Sequence, residues 1–480
     1  MPLSYHSGLG YTACKPRPTR PMIASRLSRP FVVSPLSALL FRRFVPAWRG
    51  SAAAAAIAAA VSFLPAGAYA QDPAQQTFPG QSSTAGQTFE EEIVPQRYAN
   101  NPDVDAFIND MVARYDFDAD ALHHLFDQVS YSATAVKLVT PAPAPGVKNW
   151  QVYRSRFIEP IRINAGVKFW RDNRDALDRA AAQYGVPPEV IVGIIGVETI
   201  YGKYMGNFRV LDALTTLAFD YPPTPNQAER EQTFRRNLAD LLIWTRDSGL
   251  DPTTVQGSYA GAIGIPQFMP SSIVEYAVSF DGNKTIDLRN NPADAIGSVA
   301  NYLNKNGWQS GRPVVWHIAV DAGSIGIAQA AADGQPEPHW TLDQLLTAGM
   351  LVNQPGLDPN AERPTPVTVV DLPSPAAPTQ YVLGLKNFYV ITRYNRSFFY
   401  AEAVYELGEA VKTKMAALDA ADAARANRPI TDGANGTNGT NGTNGSNSVN
   451  GVNGVNGVNG VNGVNGVNGN STPAVGGRSN

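Results

Sequence analysis

The chain has 480 residues, 44% of them hydrophobic, and a formal net charge of -3. That length is enough for two or three domain-sized cores. Residues 1–70 hold eight Lys/Arg and no Asp or Glu, so the remainder carries 30 basic against 41 acidic residues, a balance of -11, which makes the body a poor candidate for nucleic-acid binding, since that needs a basic face. The single cysteine, Cys14, lies in the basic segment. The body therefore has no disulfide, thiolate metal site or cysteine nucleophile. Its four histidines, His123, His124, His317 and His339, lack zinc-ligand spacing.

In chain order, Arg42, Arg43 and Arg49 precede an alanine-rich apolar run from Ser51 to Pro65, followed by Ala68-Tyr69-Ala70. A basic flank, a short apolar core and a small-x-small end read as a secretory signal, with cleavage after Ala70 expected over a retained anchor. No cysteine follows the run, so no lipid-attachment site is expected. Residues 71–90, rich in Gln, Ser, Thr, Pro and Gly, read as a linker. Helices are predicted from Asp103 to about Ala113 and from Asp118 to Gln128, each opened by a capping Asp. One helix is predicted over Asn164 to Tyr184 from the spacing of Phe169, Leu177, Ala180 and Ala181. Pro187 and Pro188 then open a strongly apolar helix ending at Glu198. Further helices are predicted near 227–247, 271–278, 292–306 and 397–418. Between them, Val314 to Val320 and Pro366 to Asp371 look like strands. The fold class is mainly α, with a small β-containing insertion. From Asn435 to Asn468 the chain repeats Asn-Gly-Thr and then Asn-Gly-Val. Such a tract cannot bury enough surface to offset its ordering entropy, so residues 431–480 are expected to be a disordered tail.

Glu198 is the residue to explain. Ile191, Ile194, Ile195 and Val197 surround it on several helix faces. A buried carboxylate without partners shifts toward its neutral form, which suits a general acid for glycosidic cleavage. The bland alternative is a helix-end carboxylate paired with Lys203 or Arg209. Thr199-Ile-Tyr201-Gly202 follows and is expected to close the helix at the glycine. A glycine-rich block runs from Gly257 to Ser272, with no Lys after its glycines and no clear preceding strand, so it makes a poor phosphate cradle. Its Ser258 and Gln267 offer neutral hydrogen bonds of the kind a sugar site uses. Later, Phe388-Tyr389 and Arg393-Tyr394-Asn395 place aromatics beside an amide; core packing is the alternative for any one of these rings.

Five blocks carry a resemblance: Pro187 to Thr199, Arg209 to Pro222, Ser258 to Ser272, Asp294 to Tyr302 and Ile391 to Asn395. They resemble, in order and spacing, the bacterial lytic murein transglycosylase B family of the lysozyme-like superfamily, over about residues 100 to 410. The resemblance implies a lysozyme-like α-helical catalytic core at about 153–310 and 380–415, with the insertion at about 311–379, within a transglycosylase domain of 91–430. It implies Glu198 as the single acid/base, with Tyr153, Ser258, Gln267, Tyr302, Tyr394, Asn395 and Tyr400 lining the saccharide cleft. The implied substrate is peptidoglycan, cut at the bond from N-acetylmuramic acid to N-acetylglucosamine to leave a 1,6-anhydro end. Asp212 and Asp220, the nearest downstream carboxylates, are read as structural. A hydrolase on the same fold and an inactive peptidoglycan-binding scaffold are the alternatives.

Two departures from the family stand out. Where members can carry an EF-hand-like calcium loop, Ser279 replaces the first Asp, Lys284 sits at the turn glycine and Asn290 falls at the closing acidic position. Asp281, Asn283, Thr285 and Asp287 could still bind calcium weakly; no cofactor is expected to be required. After Tyr221-Pro222, where some relatives place an arginine pair, this chain has Pro223-Thr-Pro225. The expected setting is the periplasm, as a monomer, with cell-wall assembly proteins as candidate partners.

Overall fold

The computed structural model describes residues 97–142 and 146–426. The expected signal (1–70), linker (71–90) and Asn-Gly tail (431–480) lie outside the described residues.

The N-terminal part of the described chain is helical: α1 (Pro102–Tyr115), α2 (Ala119–Phe126), α3 (Ala133–Val139) and α4 (Trp150–Ser155). Asn101, Asp118, Ser132 and Asn149 cap these four helices with side-chain oxygens. The single helix predicted over 164–184 is two: α5 (Pro160–Asp172) and α6 (Arg174–Tyr184). Asn173 leaves the helical basin (φ -120°, ψ 23°), and its amide donates to the Phe169 carbonyl at 2.8 Å. An Asn can take over a helix-end carbonyl in this way, which the apolar spacing does not reveal.

Next comes α7 (Pro188–Thr199), which ends in Glu198 and Thr199. Every residue from Val190 to Val197 is buried. A helix apolar all round must sit inside a core, and α15 (Phe398–Ala426) is its main neighbour. The two helices approach with backbones almost touching. A Cβ at Gly193 would fall 2.3 Å from the Val404 carbonyl oxygen, and one at Gly408 would fall 2.3 Å from that of Glu189. Only glycine fits at these two crossing points.

The remaining helices of this part are α8 (Val210–Phe219), α9 (Gln227–Ser248), α10 (Pro270–Tyr276) and α11 (Pro292–Lys305), with a two-stranded ladder of β1 (Phe208–Arg209) and β2 (Gln256–Gly257). The β-containing part follows. Strands β3 (Val315–His317), β4 (Trp340–Thr341), β5 (Pro366–Ser374) and β6 (Ala377–Gly384) form one antiparallel sheet ordered β3-β6-β5-β4. Helices α12 (Ala322–Ala331) and α13 (Leu342–Thr347) pack there, and Trp316, Leu342, Leu345, Val367, Val369 and Leu383 form its separate apolar core. Strand β6 and both short helices are additions to the sequence reading. Pro373, Pro375 and Pro378 crowd the β5–β6 hairpin, where the register shifts between Leu372 and Ser374; prolines at a hairpin end hide the second strand from a propensity reading. The chain then returns through α14 (Lys386–Tyr394) to α15. No single helix among the described residues is long and apolar enough to cross a membrane.

Candidate active site

Glu198 sits half-buried in the last turn of α7. The Tyr400 hydroxyl, from the first turn of α15, donates to Glu198 Oε1 at 2.7 Å. Tyr400 is 1% exposed. Burial and the nearby Glu198 charge hold both the Tyr400 and the Tyr394 hydroxyl well above the ordinary tyrosine range, so both remain protonated donors.

A row of aromatic rings leads away from this contact. Tyr394 stacks on Tyr400 with centroids 6.4 Å apart, Tyr302 meets Tyr394 edge-on at 4.9 Å, and Tyr276 meets Tyr302 at 4.7 Å. Phe268 lies 5.8 Å from Tyr302 and 5.9 Å from Tyr394. Backbone carbonyls fix two of the hydroxyls: Tyr302 donates to Arg393 at 2.5 Å, and Tyr394 donates to Pro266. Asn395 follows directly as the C-cap of α14. The sequence thus brings Glu198, Tyr302, Tyr394, Asn395 and Tyr400 to one place from four helices.

The glycine-rich block builds the opposite wall. Thr199, fully buried, donates its hydroxyl to the Ile265 carbonyl at 2.8 Å and accepts from the Gly202 amide at 2.9 Å. This one side chain ties the end of α7 to the block. Gln267 adopts a left-handed backbone (φ 51°), and its amide donates to the carbonyls of Gly264 at 2.9 Å and Met205 at 3.2 Å. With its NH₂ group so held, the carbonyl oxygen of Gln267 is the end left to accept from a sugar hydroxyl. The Ser258 hydroxyl accepts from the amides of Ala262 at 3.0 Å and Ala260 at 3.3 Å, which shapes its own turn. Tyr153 is 5% exposed and packs among Trp150, Phe157 and Phe399, behind Tyr400.

The helix bearing Glu198 does not close at Gly202 as the sequence suggested. It ends two residues earlier, where Ile200 (φ 49°) and Tyr201 (φ 60°) are already left-handed. Thr199 and Tyr276 are neighbours of this arrangement that the sequence did not single out. A buried threonine bonded to a distant carbonyl has no local signature.

The other carboxylates near the blocks are occupied. Asp212 accepts from Arg209 at 2.7 Å and from the Ser130 amide at 3.0 Å. Asp220 accepts from the Tyr98 hydroxyl at 2.7 Å and from Arg97 at 2.6 Å. Both act as structural anchors, and Arg209, one of the two cations weighed for Glu198, is engaged by Asp212.

The calcium-like loop is cross-linked by its own side chains. The Asp281 carboxylate accepts from the amides of Asn283 at 2.8 Å and Asn291 at 2.7 Å. Asn283 Oδ1 accepts from the Thr285 amide at 2.7 Å. Asp287 accepts from the backbone of Arg289 at 3.0 Å and Asn290 at 2.9 Å. Lys284 takes the left-handed turn position (φ 70°). The carboxylate and amide oxygens of Asp281, Asn283 and Asp287 are thus engaged by hydrogen bonds within the loop itself. Among the described residues no group of three or more His, Cys, Asp or Glu is arranged to hold a metal.

One half-buried carboxylate, a protonated tyrosine touching it and an aromatic row beside it form an arrangement that suits cleavage of a glycan strand. The Transglycosylase SLT domain family matches residues 99–409. The chain is 42% identical over 326 residues to the membrane-bound lytic murein transglycosylase B of Escherichia coli strain K12, covering 65% of this chain and 84% of that protein. The crystal structure of the soluble lytic transglycosylase SltB1 from Pseudomonas aeruginosa is 40% identical with a TM-score of 0.59, covering 65% of this chain and 99% of that one. SltB3 of the same organism, solved in complex with NAG-anhNAM-pentapeptide, is 28% identical with a TM-score of 0.55, covering 64% and 78%. The chain belongs to this family and is a lytic murein transglycosylase.

Proposed function

We propose that Glu198 is the acid/base of this enzyme and that the tyrosine row lines its saccharide cleft, with Tyr153, Ser258, Gln267 and Asn395 as further cleft positions. The observation that carries the reading is the Tyr400 hydroxyl 2.7 Å from Glu198 at the buried end of α7. The substrate is peptidoglycan, cut between N-acetylmuramic acid and N-acetylglucosamine. Protonated Glu198 gives its proton to the bridging oxygen, and the N-acetylglucosamine unit leaves as the alcohol. The muramoyl N-acetyl group supports the positive charge that develops at C1. Ionised Glu198 then takes the proton of the muramoyl 6-hydroxyl, whose oxygen bonds to C1. One C–O bond breaks, another forms, Glu198 regains its proton and no water is consumed. An internal hydroxyl held close to C1 makes a second carboxylate unnecessary, because proximity replaces it. The engagement of Asp212 and Asp220 elsewhere supports this one-acid scheme.

The measurement is mass spectrometry of purified peptidoglycan digested by wild type and Glu198→Gln. The expected product carries anhydro ends, one water lighter than a reducing end, and the variant releases none. Reducing ends alone would make the enzyme a hydrolase, and equal release by both proteins would remove Glu198 from the chemistry.

The setting in this reading is the periplasm, reached through the signal in residues 1–70. Residues 71–90 serve as a linker, 91–430 as the transglycosylase domain and 431–480 as a tether. The enzyme acts as a monomer without a required metal, and cell-wall assembly proteins are its candidate partners.

A further inference from the structure

We infer that Arg162 is a positioning residue for Glu198, holding the two peptide groups that precede it; the inference rests on Glu198 being the acid/base. Arg162 enters from α5 and is 7% exposed. Its guanidinium donates to the carbonyl of Gly196 at 2.5 Å and to that of Val197 at 3.3 Å. These carbonyls belong to the last turn of α7. The Gly196 carbonyl also accepts from the Ile200 amide at 3.3 Å, whereas that of Val197 lacks the next turn's amide; both lie at the negative end of the helix dipole, where a cation is favoured.

The need for an outside donor follows from what the chain does next. The amide of Tyr201, which would ordinarily bond Val197, is aimed instead at the Ile195 carbonyl at 3.4 Å. This happens because Ile200 and Tyr201 are left-handed. A β-branched residue is strained in that region, and the strain persists only where surrounding structure imposes it.

Helix α5 supplies that surrounding structure with two residues one turn apart, Arg162 and Gly166. The Tyr201 ring fills a slot between α5 and α7. A Cβ at Gly166 would fall 2.4 Å from the Tyr201 hydroxyl oxygen, and one at Gly196 would fall 2.5 Å from it. Phe169, also on α5, packs on that ring at 5.3 Å. Arg162 is itself steadied: its guanidinium lies 4.9 Å from the centre of the Phe157 ring, and its backbone amide donates to the Glu159 carboxylate at 2.6 Å. One face of α5 therefore grips the end of α7 on both sides of Glu198, at Gly196–Val197 before it and at Tyr201 after it. Glu198 must meet Tyr400 at 2.7 Å from a different helix, so a small slide of this turn breaks the contact.

The test compares wild type, Arg162→Met, Arg162→Lys and Glu198→Gln on soluble uncross-linked glycan strands, with kcat, KM and Tm measured for each. Misplacing a catalytic group by an ångström costs about 100-fold. Arg162→Met is expected to lower kcat by roughly 10- to 100-fold with KM changed less than about twofold. Arg162→Lys, which can still reach one carbonyl, is expected to recover most of that loss while staying about three- to tenfold below wild type. A structural role alone would lower Tm and leave kcat per folded molecule intact, which overturns the inference. If the Met variant does not fold, the Lys variant decides: kcat equal to wild type overturns the inference, and a kcat loss at constant KM supports it. An active Glu198→Gln would refute the underlying reading instead, so the two failures are distinct.

Discussion

Glu402→Gln tests how the core of α15 stores charge. Glu402 is 2% exposed, two residues beyond Tyr400, and its Oε2 has no hydrogen-bond partner among the described residues. Burial, with a smaller contribution from Glu406, pushes its carboxyl from an ordinary 4.5 up to about 8; Arg154 opposes this. Below pH 4.5 the folded and unfolded chains both hold the proton. Between 4.5 and 8 the fold keeps a proton that the unfolded chain has released, so stability falls as pH rises. Each pH unit inside that window removes about 1.4 kcal/mol, so the loss is about 3 kcal/mol by pH 7 and roughly 4 kcal/mol by pH 8. Gln has the shape of the neutral acid and cannot ionise. The variant should match wild type near pH 4.5 and exceed it by about 3 kcal/mol at pH 7. The pairing of Glu406 with Arg154 is common to both proteins, and its effect on Glu402 is already part of the raised value. Urea denaturation followed by circular dichroism, at fixed ionic strength from pH 4.5 to 8, gives the two profiles. Parallel profiles would refute the reasoning, because they would mean that Glu402 does not titrate differently on unfolding.

Three further outcomes are expected. Tyr400→Phe removes the hydroxyl bonded to Glu198, and a hydrogen bond to a charged group contributes about 1.5–3 kcal/mol. kcat/KM on soluble glycan strands should drop by roughly 10- to 100-fold, and a change under about twofold would show the contact to be idle. Gly193→Ala drives a methyl to 2.3 Å from the Val404 carbonyl oxygen. It should destabilise the fold by about 1–3 kcal/mol and lower activity by moving α15 off α7; an unchanged Tm and rate would mean that the helices separate freely. Because amides rather than a cation hold Asp281, chelation followed by millimolar calcium should move Tm by less than about 1 °C. A rise that grows with calcium concentration would reveal a functioning site.

What the sequence made legible depended on how local the signal was. A carboxylate closing a helix that is apolar on every face is conspicuous in one dimension, but alone it reads as an ordinary helix-end charge, and only the blocks that follow set Glu198 apart. Its hydrogen-bond donor Tyr400 lies 202 residues away and was visible only through the family resemblance. The helix opened by Asp118 and the one opened by Pro187 and Pro188 were readable because start chemistry is written in the chain, whereas the cap expected at Asp103 falls on Asn101, with Asp103 already inside α1. The break at Asn173 was not, since the same residue type is tolerated inside a helix and only its bond to the Phe169 carbonyl decides. Strand β6 was concealed by prolines that mark a turn and not an end. Ser258 shows a different limit: a hydroxyl that suits a sugar site also suits its own tight turn, and here it makes the turn.

The distance between Glu198 and Tyr400 along the chain has a consequence for when their contact forms. Everything from Thr199 to Phe399, including the four-stranded sheet, is made before Tyr400. A chain growing from its N-terminus carries Glu198 early, but closing so long a loop is slow and waits on late synthesis. The Glu198 contact cannot form until α15 docks against α7. A chain that stops short of Phe398 lacks both the Tyr400 hydroxyl that meets Glu198 and the helix that packs against α7.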